Sequence, residues 1–140
     1  MSNETRGDPV IRTIAMPADT NPAGDIFGGW LMAQMDLAAG NLAARIAKGR
    51  SATVAVEAMS FLGPVKVGDE VSLYARLVST GRSSMRIYVE AWRRDRCSES
   101  CERVTDATFT FVALDKDGRS RVLDVAAHSA TGAGGADRGA

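Results

Sequence analysis

The stretch from Trp30 to Lys48 constrains this chain more than any other, because only one secondary structure suits it. Ala, Leu and Met recur through it, Ile46 is its one β-branched residue, and Gly49 follows. Ala and unbranched side chains lose least on entering a helix, and a glycine just past the last turn is a favoured stop. The reading is one long helix, entered through Gly28-Gly29.

The other ordered segments alternate. Val10 to Met16 suits a short strand, and Pro17 to Asp25 is dense in turn formers. Thr53 to Phe61 and Val71 to Thr80 read as strands, joined by turn residues between Gly63 and Asp69. Ser84 to Trp92 has a clean period of two, with Met85, Ile87, Val89 and Ala91 on one face. Val104 to Leu114 is another strand, and Asp117-Gly118 turns the chain toward a further one over Ser120 to Val125. This is an α+β pattern. A half-buried sheet needs an apolar cover, and only the long helix is available to supply it. The economical solution is a curved antiparallel sheet wrapped around one central helix, with exposed strand edges that favour a second copy of the chain.

With 140 residues there is room for one domain. The expected division is a flexible start over 1–9, the domain over 10–125 and a disordered Gly/Ala-rich tail over 126–140. Seventeen basic and seventeen acidic side chains cancel, so charge gives no reason to expect nucleic acid or an anionic membrane as partner. No apolar run approaches the ~18 residues of a membrane span, and the first residues lack a signal-like apolar core. The expected location is the cytoplasm.

Cys97 and Cys101 have no neighbouring His to complete a zinc site, and read as reduced thiols in a polar loop, with a redox pair as the alternative. His128 is the only histidine and precedes the Gly/Ala-rich tail. Ser-His-Asp and Cys-His chemistry need an imidazole beside the nucleophile, so any base here should be a carboxylate.

On a helical wheel, Gln34, Asn41, Arg45 and Lys48 form a polar stripe, while Met32, Met35, Ala39, Ala43 and Ile46 lie opposite. Asp36 sits about 200° round from Gln34, on the apolar side. A solvated helix face is the ordinary home of such a charge. Against it, an unpaired carboxylate in apolar surroundings is costly, and no basic residue lies one turn away. Asp36 is therefore expected to border a cavity or a subunit interface. Gly28 and Gly29 leave the first N–H groups of the helix uncovered, where they suit an oxyanion; the alternative is a tight entry turn and nothing more. From Gly28 to Asp36 the helix rises roughly 12 Å, too far for one carbonyl to touch both. Cooperation between them requires two chains.

At Met16 to Trp30, Gln34-Met35-Asp36, Thr53 to Met59, Val67-Gly68-Asp69, Gly81 to Ser84 and Val104 to Ala113, the sequence resembles the hotdog-fold acyl-CoA thioesterases of the YciA type. The resemblance covers roughly residues 10 to 123. It implies a central helix in a curved sheet and hydrolysis of acyl-CoA. It further implies Asp36 as base or nucleophile, Gly28 and Gly29 as the oxyanion donors, and Asn21 as an amide near the carbonyl and the attacking water. Phe27 stands where some relatives carry a His, which suggests a more apolar channel. Gly81-Arg82-Ser83-Ser84 resembles a turn linked with the CoA portion, with Arg82, Ser83 and Ser84 suited to phosphate; an ordinary hairpin turn is the alternative. No metal or redox cofactor is required, CoA being part of the substrate. Self-association as a homodimer, and as a trimer of dimers, is expected. The rivals are a hotdog dehydratase, which needs a site histidine, and a non-catalytic acyl-CoA sensor, which needs no base.

Overall fold

The computed structural model describes residues 7–124. His128 and the whole of the expected tail over 126–140 lie outside the described residues. The helix α1 runs from Gly28 to Ala47, starting earlier than its Ala/Leu/Met composition alone suggests. Lys48 closes it in the left-handed conformation, with φ 55° and its N–H donating to the Ala44 carbonyl.

Five strands accompany the helix: β1 (Ile11–Ile14), β2 (Ser51–Phe61), β3 (Glu70–Thr80), β4 (Ser84–Arg94) and β5 (Cys101–Ala113). They form one antiparallel sheet in the order β1-β3-β4-β5-β2. Alternation in the sequence becomes a two-faced sheet. Leu73, Ile87, Val89, Ala107 and Phe109 point inward and are buried against Met35, Ala38, Ala39 and Ala43 of α1. Small helix residues let the backbone lie close to the strands. Gly40 extends this: a Cβ there would stand 3.5 Å from the Phe111 ring, so the room left by the missing side chain is filled by the core.

Of the further strand expected over Ser120 to Val125, none is formed among the described residues. Leu114 and Ser120 make one isolated bridge. The segment instead closes an end of the sheet: the Arg121 N–H donates to the Ala113 carbonyl, and the Leu123 N–H to the Arg82 carbonyl at 2.7 Å. Cys97 lies in a loop as expected, but Cys101 begins β5. Both thiols are free.

β2 is an edge strand and an irregular one. Its register against β5 shifts between Thr53 and Ala55 and again between Glu57 and Ser60, where Ala58 takes a positive φ of 54°. Such bulges curl a strand around what it covers. Val54 is 58% exposed, and Phe61 and Leu62 are 54% exposed each. No described helix is long and apolar enough to cross a membrane.

Candidate active site

Asp36 is half-buried on α1 and faces the start of β2. The Thr53 hydroxyl donates to its Oδ1 at 2.6 Å. No described Lys or Arg forms an ion pair with it. A short bond from a hydroxyl orients a carboxylate and occupies only one of its two oxygens. The helix explains the position. Met35 and Ala39 are buried beside Asp36 and fix that face of α1 against the sheet, so the carboxylate emerges along the open β2 edge.

The loop before α1 is held by its own polar groups. The Asn21 Oδ1 accepts from the Ala23 N–H at 2.9 Å and the Asp25 N–H at 3.1 Å. Thr20 and Ile26 form an isolated bridge, and the Phe27 N–H reaches the Asp19 carbonyl. The Asn21 Oδ1 is thus committed to the loop, which leaves the NH₂ as the group with which this side chain can donate. At the helix entry, the Gly28 and Gly29 N–H groups donate to no acceptor among the described residues, as the first N–H groups of a helix ordinarily do not. A Cβ on Gly28 would meet the Phe61 ring at 3.2 Å, and one on Gly29 the Phe27 ring at 3.4 Å. Two aromatic rings flank the glycines. Phe27 and Met32 are 43% and 39% exposed, and Trp30 is half-buried. Phe27 and Met32 are therefore surface residues of the isolated chain.

The residues between Gly81 and Ser84 form the turn joining β3 to β4, closed by the Gly81 N–H donating to the Ser84 carbonyl at 2.8 Å. Ser84 pairs with Val112, and Val112 with Ala52, the neighbour of Thr53. The turn and the Asp36–Thr53 pair therefore share one end of the sheet, although the turn joins β3 to β4 and Thr53 lies on β2. Sequence reasoning missed Thr53 as a partner of Asp36. Seventeen residues separate them, and only the register of β2 under α1 joins them. Among the described residues no group of three or more His, Cys, Asp or Glu is arranged to hold a metal ion.

Known proteins are similar to this chain in sequence and in fold. The family model described as the thioesterase superfamily matches residues 23–98. The acyl-CoA thioester hydrolase YciA of Escherichia coli (strain K12) is 52% identical over 126 residues, covering 88% of this chain and 96% of that protein. The hexameric thioesterase y2039 from Yersinia pestis superposes with a TM-score of 0.79 at 53% identity, over 84% of this chain and 95% of that one. Cj0915, a hexameric hotdog-fold thioesterase of Campylobacter jejuni, superposes with a TM-score of 0.85 at 35% identity, over 91% and 98%. A helix laid in a five-stranded antiparallel sheet, a match across more than half the sequence and relatives identical at every second residue lead to one conclusion: this chain belongs to the thioesterase superfamily and has the hotdog fold.

Proposed function

We propose that this protein hydrolyses acyl-CoA thioesters to free acid and CoA, with Asp36 as the catalytic carboxylate. The observation that carries the reading is a half-buried helix carboxylate oriented by the Thr53 hydroxyl at 2.6 Å rather than neutralised by a cation. The names of similar proteins support the reaction class.

In this mechanism the thioester carbonyl lies at the Gly28 and Gly29 N–H groups, whose positive helix end favours the developing oxyanion. The Asn21 NH₂ helps hold the carbonyl or the water. Asp36 of the second chain takes a proton from that water as oxygen adds to the carbonyl carbon. The tetrahedral adduct collapses, the C–S bond breaks, and the proton returns to the departing thiolate. Alternatively Asp36 itself attacks, giving a mixed anhydride that water then opens. Single turnover in isotopically heavy water tests for the second route, since label enters the enzyme carboxylate only when water opens such an anhydride at its Asp36 carbonyl. Arg82, Ser83 and Ser84 are assigned to the CoA portion. Neither route calls for a cofactor.

Because the helix entry and Asp36 lie roughly 12 Å apart on one helix, the reading requires a homodimer. The exposed edge of β2 is the natural place for it, and the hexameric state described for similar structures supports a trimer of dimers. Residues 10–125 are taken as the working domain, and the cytoplasm, which holds acyl-CoA, as its location.

The test is continuous release of free thiol from a panel of short, medium and long acyl-CoA substrates. Turnover that disappears in Asp36→Ala while the protein stays folded is the expected result. A wild-type protein that binds acyl-CoA without releasing thiol would instead be a sensor, and one that hydrates or dehydrates the acyl chain a dehydratase.

A further inference from the structure

The two cysteines of this chain lie four residues apart, and the hydrolase reading uses neither. They belong to the connection between β4 and β5. Arg94 and Cys101 are partners in the register of that hairpin, so the loop proper is residues 95–100. Cys97 lies near its tip and is exposed, and Cys101 is half-buried at its base.

Hydrogen bonds fold this loop back on itself. The Ser98 N–H donates to the Asp95 carbonyl at 3.0 Å, which closes a tight turn with Cys97 at its third position. The Cys97 N–H donates to the Asp95 Oδ1 at 2.8 Å, and the Ser100 N–H to the Ser98 Oγ at 3.0 Å. Arg94 ties the loop to β4. Its Nη1 donates to the Ser98 carbonyl at 2.8 Å and the Asp95 carbonyl at 3.2 Å, while its Nε is fixed by Glu70. Past the turn the chain bends again at Glu99, midway between the cysteines.

A bend at that residue draws Cys97 and Cys101 toward each other. A disulfide requires their Cα atoms to stand about 4.4 to 6.8 Å apart. Asp95, Arg96, Glu99 and Ser100 are all exposed, so the loop can adjust to this spacing without disturbing the core. Both thiols are within reach of small molecules. Cys97 is exposed, and Cys101 lines a cavity of about 190 Å³ with Arg94 and Glu99.

We infer that Cys97 and Cys101 form a reversible redox site, closed to a disulfide by low-molecular-weight disulfides and reopened by small thiols. The exposed Cys97 thiolate attacks one sulfur of the small disulfide; that S–S bond breaks and one thiolate leaves. The Cys101 thiolate then attacks the Cys97 sulfur and expels the second. The two cysteine protons pass to the two departing thiolates. The protein is thus oxidised by two electrons, and the small disulfide is reduced to two thiols. The second step is intramolecular, so the geometry of the loop decides how far it outruns reversal. Where small thiols predominate the pair rests open, and both thiols are free in this structure. The inference does not depend on acyl-CoA hydrolysis: Thr53, the partner of Asp36, pairs with Phe111, ten residues along β5 from Cys101.

The test equilibrates the folded, full-length protein with mixtures of reduced and oxidised glutathione, quenches with iodoacetamide and reads the intact mass. The expected product is a single chain about 2 Da lighter than the reduced protein, alkylated at neither cysteine and restored by dithiothreitol. Cys101→Ser should instead stop at one glutathione on Cys97, because nothing remains to displace it. The same titration in denaturant keeps the spacing and removes the hydrogen bonds of the loop. The equilibrium constant for closure should be about tenfold larger in the folded protein than in the denatured one. Two alkylated cysteines, two bound glutathiones or chains linked to one another in the oxidised wild type overturn the proposal. So does a folded pair that closes no more readily than the denatured one.

Discussion

Thr53 has a larger part in this site than its side chain suggests, because its hydroxyl is the one described side-chain partner of Asp36. Removing the charge and removing its orientation should therefore differ in size. Asp36→Asn keeps the shape and should lower kcat by about a hundredfold to ten-thousandfold, the usual span for a lost general base. Thr53→Val should lower it only about tenfold, the equivalent of one hydrogen bond, with KM little changed. Both are read by thiol release under saturating substrate. Gly28 tests the helix entry: a Cβ there would lie 3.2 Å from the Phe61 ring, tighter than packing tolerates without movement. Gly28→Ala should cut kcat about tenfold or more by displacing the entry, while thermal unfolding shifts by only a few degrees. Asp36 was legible in the sequence because a helical wheel needs only local spacing. Thr53 was not, since a contact between elements depends on strand register. Asn21 was legible as a polar loop residue, but not the spending of its carbonyl oxygen on the loop itself.

Among the elements, β4 and β5 carry a polar network on the face away from α1. The Glu90 carboxylate accepts from the Trp92 indole at 2.8 Å, the Tyr88 hydroxyl at 2.9 Å and Arg103 at 3.2 Å. Burial alone would push Glu90 up, but these donors outweigh it and hold the carboxyl below its ordinary value of 4.5. The folded chain thus binds that proton less readily than the unfolded chain. Its contribution to stability is complete above about pH 4.5 and is lost as the pH falls through the lower folded value. Burial, with Glu90 beside it, pushes the Tyr88 phenol up to about 12. Here the sign reverses: the contribution is complete below pH 10 and is lost as the pH climbs toward 12. Chemical denaturation across pH should show stability falling at both ends. Glu90→Gln should flatten the acid limb and Tyr88→Phe the alkaline one. The strands themselves were readable from period-two alternation, and α1 from composition. The segment after Asp117-Gly118 was misread as a strand because its alternation is real but its hydrogen bonds are not strand-like. Arg121 turns to the end of α1, and the N–H groups of Arg121 and Leu123 reach separate partners.

For the whole molecule, the order of the strands was beyond the sequence. Nothing local says that β2, which precedes β3, crosses to the far edge beside β5. That crossing leaves β2 bare, with Val54 58% exposed along it. A charge there should block edge-to-edge pairing. Val54→Lys is expected to sediment as a smaller species than wild type and to lose about a hundredfold in kcat, while its circular dichroism stays native. The bare strand also carries Thr53, the residue that aims Asp36. On the proposed reading, one stretch of backbone serves both recruitment and chemistry. A chain newly released from the ribosome, folded but still alone, would be catalytically silent until it met its own kind, and the specific activity of a purified sample should fall as it is diluted.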